Sequence, residues 1–144
     1  MVATYRRTAS ARMAERVLGA LARAGIAPGG ICSLTVRGRT SGQPRTTPVT
    51  PLELGGRVHL VAPYGVVNWV RNLRAAGEAT IQRGSTHRIR ATELPPAEAA
   101  PVLREYVRRI RLVRPYVPAG PDDDVAAFEA IAADFPVFAI ERIG

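Results

Sequence analysis

The sequence predicts an α+β fold: about six mostly antiparallel strands closing a small barrel, with helices set apart and packed outside it. Three observations point there. Between residues 31 and 94 apolar positions alternate with a period of two, and the runs are separated by glycine-bearing turns. Helical spacing is confined to the flanks and to one short segment inside that stretch. Residues 137–143 form an apolar run suited to a closing strand. At 144 residues and 15.5 kDa the chain fits one domain. It divides into an N-terminal amphipathic helix and loop over 1–28 and a barrel with helices over 29–144.

Each element has its own signal. Over residues 8–24, Ala9, Met13, Val17, Ala20, Leu21 and Ala24 share one helical face, with Arg12, Arg16 and Arg23 as a stripe beside it. Gly25 and Pro28-Gly29-Gly30 end that helix. Ile31–Arg37 alternates, with Cys32, Leu34 and Val36 on one side and Ile31, Ser33, Thr35 and Arg37 on the other. A glycine-bearing loop over 38–44 follows. Arg45–Leu54 and Arg57–Ala62 then flank Gly55-Gly56, a two-residue hairpin signal. Pro48 and Pro51 mark the first arm as an edge or bulged strand, because each lacks a ladder donor. Residues 67–76 read as a short helix stopped by Gly77, and a second hairpin joins Glu78–Arg83 to Thr86–Leu94 through Gly84-Ser85. Pro95-Pro96 opens a helix with apolar residues from Ala99 to Ile110, and Arg114–Pro121 reads as a connector. Asp122, Asp123 and Asp124 suit the exposed amides of a helix start better than a metal.

Charge narrows the function. The net charge is +8, and all twenty basic residues are arginine. Such a field attracts anionic ligands, nucleic acid or an acidic membrane. Cys32 is the single thiol, so no internal disulfide forms, and Cys32, His59 and His87 cannot make a four-ligand zinc site. No apolar run reaches the roughly 20 residues of a membrane span, and Arg6, Arg7, Arg12 and Arg16 interrupt the N-terminus. The expected location is the cytoplasm, with peripheral contact to the inner membrane face through residues 6–23 as a variant. Nucleic-acid binding is disfavoured, since few aromatic residues accompany the arginines and no binding motif is present. Phosphate-loop, nucleophile-elbow and paired-cysteine motifs are also missing, so a bound cofactor is expected to carry any difficult chemistry.

Two clusters concentrate the polar groups. The run from Arg37 to Pro48 combines glycines, hydroxyls and guanidinium groups in the manner of an oxyanion cradle. The run Asn68-Trp69-Val70-Arg71-Asn72-Leu73-Arg74 carries the only tryptophan, with asparagines able to bond the edge of a planar ligand. Alone, Trp69 reads equally well as the anchor of a short helix.

Together these clusters carry a resemblance. GRTSGQPRTTPV at 38–49, GGRVHLVAP at 55–63 and NWVRNLRA at 68–75 resemble the deazaflavin (coenzyme F420)-dependent nitroreductase and quinone reductase family. The likeness covers residues 31–94. It implies a split β-barrel of the flavin-binding type, with reduced coenzyme F420 donating hydride to an electrophilic acceptor such as a quinone or nitro compound.

Carried over by residue, the resemblance puts phosphate and oligoglutamate contacts on Arg39, Thr40, Ser41 and Arg45. Thr46, Thr47, Pro48, Val49 and Thr50 run along the cofactor. Val61, Ala62 and Pro63 meet its ring, with Tyr64 beside them. Asn68, Trp69, Val70, Arg71 and Asn72 complete the pocket. Tyr64 and Tyr116 are the candidate catalytic residues, as proton donors or acceptor-orienting groups. Thr40 stands where the family commonly has lysine, and Pro63 where a serine is often found. The Tyr64–Asn68 segment is also shorter than usual, which leaves FMN or a lipid as the rival ligand on the same barrel. The expected partners are a small-molecule electron acceptor and, as is common for such barrels, a second copy in a homodimer.

Overall fold

Seven antiparallel strands form one sheet, one more than the turn signals give, because the expected Arg45–Leu54 arm is cut in two. The computed structural model describes residues 30–143, so the helix expected over 8–24 and its arginine stripe lie outside the described residues. The strands are β1 (Cys32–Arg37), β2 (Pro44–Val49), β3 (Leu52–Leu54), β4 (Arg57–Val61), β5 (Glu78–Arg83), β6 (Ser85–Glu93) and β7 (Val137–Arg142). Helix α1 spans Asn68–Ala76, α2 spans Pro96–Arg109 and α3 spans Val125–Ile131.

The strand order β2-β1-β5-β6-β7-β4-β3 places two consecutive strands at opposite edges of the sheet. Only Thr50 and Pro51 separate β2 from β3, so the sheet curls until its edges meet at that hinge. This is the split-barrel architecture. The prolines explain the cut: Pro51 has no N–H to continue a ladder, and Pro48, opposite Ser33, is tolerated because β2 is an edge. The hairpin turn at Gly55-Gly56 has positive φ at both residues, the geometry that two-residue hairpins require.

Two apolar clusters hold the layers together. Leu34, Val36, Val49, Leu60, Ile89 and Phe138 fill the barrel, and Val70 and Leu73 of α1 close it from one side. Burying each such leucine contributes about 1.5–3 kcal/mol. Outside, Leu52 and Val61 pack against Ala99, Leu103, Tyr106 and Val107 of α2 and against Phe128 of α3. His59 is also buried, its Nδ1 lying 3.3 Å from the Leu52 carbonyl, and burial pulls its pKa below the ordinary histidine value.

The expected connector over 114–121 begins with structure. A 3-10 turn spans Arg111–Tyr116, tied down by the Arg114 guanidinium, which donates to the carbonyls of Val107 and Arg108. The acidic run does start a helix: Asp124 Oδ1 accepts from the Ala127 N–H at 3.0 Å, and Asp123 Oδ2 accepts from the Gly120 N–H at 2.7 Å. Among the described residues, no group of three His, Cys, Asp or Glu could hold a metal. No described helix is long and apolar enough to cross a membrane.

Candidate functional site

The loop joining β1 to β2 is tight. The Gly38 N–H donates to the Gln43 carbonyl at 2.8 Å, the Gly42 N–H to the Gly38 carbonyl at 2.9 Å, and the Gln43 N–H to Ser41 Oγ at 3.2 Å. A Cβ on Gly38 would stand 2.9 Å from Ser41 Oγ and 3.1 Å from the Gln43 carbonyl, so any other residue there would force Ser41 and that carbonyl to shift. The Arg39 N–H is also engaged, donating to Asn72 Oδ1 at 3.1 Å. Four of the loop's main-chain amides, those of Gly38, Arg39, Gly42 and Gln43, are therefore committed inside the protein. Guanidinium and hydroxyl groups remain as the main donors the loop could offer an anion.

Arg39 is fixed by the same asparagine, its Nη1 donating to Asn72 Oδ1 at 2.7 Å. Asn72 is buried on α1 beside Val70 and Leu73, so its position is set by the barrel core. The bond leaves further guanidinium donors of Arg39 for a ligand. Asn72 thus positions an arginine through its oxygen, where sequence alone suggested the edge of a planar ligand.

The loop, β2, the end of β4 and the first turns of α1 enclose one cavity of about 1120 Å³. Arg39, Thr40, Ser41, Arg45, Thr46, Thr47, Pro48, Val49, Thr50, Val61, Pro63, Asn68, Trp69, Arg71 and Asn72 all line it, as does Tyr64. Three expected residues do not. Ala62 and Val70 are fully buried among the barrel residues, because strand and helix alternation turn them away from the opening. Tyr116 also lies off the wall; it meets Tyr64 edge to face, with ring centroids 5.0 Å apart, and so braces that ring from behind. Trp69 serves both readings: it lines the cavity and rests 6.1 Å, centroid to centroid, from Phe138 of the core.

The far end of the cavity comes from residues the sequence did not single out for the site. Tyr106, Ile110, Leu112 and Val113 close it with apolar surface. Tyr106 and Ile110 belong to the apolar stripe of α2, which reads only as core, and no motif marks the Arg111–Tyr116 turn. Leu112 is 75% exposed, which places an apolar lip at the opening. Tyr106 is buried and hydrogen-bonded to the Thr50 side chain, and burial pushes its phenol well above the usual tyrosine range.

The charge is one-sided. Arg39, Arg45 and Arg71 line the cavity, and no aspartate or glutamate is among its described walls. Elsewhere acids do meet arginines: Arg74 forms a two-pronged pair with Glu93 at 2.7 and 2.8 Å, and Arg109 pairs with Glu105 at 3.0 Å. The cavity therefore combines an uncompensated cationic end, an aromatic middle at Trp69 and Tyr64, and an apolar end. A polyanion attached to a planar ring fits that sequence of surfaces.

A family model described as F420H(2)-dependent quinone reductase matches residues 4–116, which include the loop, α1 and the Arg111–Tyr116 turn. A solved protein of unknown function from Agrobacterium tumefaciens superposes with a TM-score of 0.57 at 16% identity, over 87% of this chain and 53% of that one. The chain thus spans about half the length of that protein. A NimC/NimA family protein from Clostridium acetobutylicum gives a TM-score of 0.50 at 15% identity, over 77% of this chain and 73% of that one. A structure described as an F420 reductase gives 0.50 at 13% identity, over 87% and 92%. At these identities the likeness is one of fold. No curated protein matches the chain.

Proposed function

The chain belongs to the F420H2-dependent quinone reductase family, and on that premise we propose that its cavity seats reduced coenzyme F420 beside a quinone or nitro acceptor. Membership makes the protein an oxidoreductase with coenzyme F420 as its cofactor. The seating of the coenzyme in this cavity and the class of acceptor rest on the charge and polarity of its walls. The observation that carries both is the cavity's polarity: arginines at one end, apolar side chains at the other, and no acid among its described walls.

When bound, the reduced deazaflavin supplies a hydride to an electrophilic acceptor. Arg39 and Arg45, with the hydroxyls of Thr40 and Ser41, hold the phosphate and carboxylate groups. Asn72 keeps Arg39 at its post. Thr46 to Val49 of β2, with Thr50 just beyond it, would support the coenzyme along its length, while Val61, Pro63 and Trp69 would wall off water beside the ring. Exclusion of water and fixed orientation are the main contributions expected of such a site. Tyr64, braced edge to face by Tyr116, would give a proton to the acceptor oxygen and regain one from solvent. Ile110, Leu112 and Val113 receive the apolar part of the acceptor.

The test is a single-turnover assay. Reduced coenzyme F420 is mixed with the protein and menadione or a nitroaromatic compound, and reoxidation is followed by absorbance. Protein-dependent reoxidation with either acceptor is the expected result. Coenzyme that binds but is not reoxidised by any acceptor of these classes overturns the reading.

A further inference from the structure

The apolar end of the cavity holds one polar side chain. Tyr106, Ile110, Leu112 and Val113 line that end from α2 and the turn that follows, and of these only Tyr106 carries a hydroxyl. The Ile110 N–H still closes a helical bond to the Tyr106 carbonyl at 2.9 Å, so the two side chains leave the same face. Tyr106 is 5% exposed, and its hydroxyl is bonded to the Thr50 side chain. A phenol has one proton to give and lone pairs with which to accept. A donation from Thr50 therefore leaves the Tyr106 proton for a ligand.

Burial, and then the nearby Tyr64 phenol, hold the Tyr106 hydroxyl well above the usual tyrosine range, so it stays a neutral donor. Tyr64 lines the same cavity and packs against the cluster that contains Tyr106. The two phenols reach the site from separate elements, Tyr64 from the connection between β4 and α1 and Tyr106 from α2. Each is held from behind, Tyr64 by the Tyr116 ring and Tyr106 by Thr50. Quinones and nitro compounds both carry two oxygens, and these gain negative charge as hydride arrives.

We infer that Tyr106 is an acceptor-orienting residue, its hydroxyl donating to one oxygen of a quinone or nitro group while Tyr64 serves the other. The inference rests on the proposed function, since it needs an acceptor seated in this cavity. Reduction of a quinone adds a hydride from the coenzyme, giving the hydroquinone anion, and then a proton through Tyr64, giving the hydroquinone. Tyr106 keeps its own proton throughout. It acts by presenting a fixed donor where charge develops, in a place from which water is excluded.

The experiment compares wild type, Tyr106→Phe and Thr50→Val in steady-state turnover, with reduced coenzyme F420 saturating for each protein. The acceptor is whichever of menadione and a nitroaromatic compound the wild type reduces faster, and the assay runs well below every variant's thermal midpoint. Both substitutions remove the bond between Tyr106 and Thr50, but only the first removes the phenol hydroxyl. Tyr106→Phe is expected to lower kcat/KM for the acceptor about tenfold, the scale of one hydrogen bond. Thr50→Val should lower it by no more than about threefold, because the donor remains and only its tether is lost. No loss in Tyr106→Phe, or a loss no larger than that of Thr50→Val, overturns the inference. Wild-type protein that binds the coenzyme but passes hydride to neither acceptor rejects the functional reading beneath it.

Discussion

The carboxamide oxygen of Asn72 accepts from both the main-chain N–H of Arg39, at 3.1 Å, and its guanidinium, at 2.7 Å. One buried side chain on α1 thereby joins the barrel core to the loop that presents the cationic end of the cavity. Replacing it with alanine removes the shared acceptor. Asn72→Ala is expected to cost about 1–3 kcal/mol of stability, read as a lower thermal midpoint, and to weaken coenzyme F420 binding as well. A variant that loses stability but binds the coenzyme as tightly as wild type would show that Arg39 needs no such support.

Gly38 faces a different constraint. An added methyl would lie 2.9 Å from Ser41 Oγ and 3.1 Å from the Gln43 carbonyl, so the hydroxyl must turn away from the Gln43 N–H and the loop must shift. Gly38→Ala is expected to destabilise the protein by about 1–3 kcal/mol, as overpacking does elsewhere. Because Ser41 and Arg39 move with the loop, coenzyme affinity should fall too. Chemical denaturation and fluorescence titration check the two effects separately.

Much of this arrangement is legible in the sequence, for local reasons. The glycine turns, the alternation of Cys32, Leu34 and Val36, and the helix stop at Gly77 depend on neighbouring residues, and β1, β4, β5, β6, β7 and α1 form within a residue or two of their expected bounds. The cut at Thr50-Pro51 is half legible: the prolines announce an interruption, but only the closing of the sheet shows that β2 and β3 become opposite edges. Asn72 and Arg39 stand 33 positions apart, and no spacing rule links them. Tyr106 is hidden for a further reason. A tyrosine within an apolar helical stripe has the signature of core, and its contact with Thr50 depends on how α2 lies against the barrel.

Tyr106 gives a prediction at high pH. Burial raises its folded-state pKa above that of the unfolded chain, so the folded state retains a proton that the unfolded state releases. Stability should therefore decline once the pH passes about 10, the ordinary tyrosine value. Tyr106→Phe should lose this part of the decline and, at neutral pH, cost about 1 kcal/mol through the lost bond to Thr50. Its affinity for coenzyme F420 should fall less than that of Arg45→Ala, since the hydroxyl acts on the coenzyme only through Thr50. Thermal midpoints across the alkaline range decide the matter.

His59 gives the opposite prediction in acid. Its folded-state pKa is lowered by burial, so the unfolded chain takes up a proton that the folded protein resists. The stabilisation is complete above the unfolded value of about 6.5 and is lost as the pH falls through the folded value. Wild-type protein should show a fall in midpoint below neutral pH that is shallower in His59→Gln. Parallel acid profiles for the two proteins would assign the loss to other groups.

The central claim is that arginines at the first hairpin loop hold the anionic part of coenzyme F420. Fluorescence titration of the coenzyme into wild type and Arg45→Ala tests it most directly. Saturable binding that weakens with salt is expected for the wild type, with a loss of about 1.5–3 kcal/mol in the variant, the scale of a charged hydrogen bond. Equal affinity in the two proteins would contradict the claim.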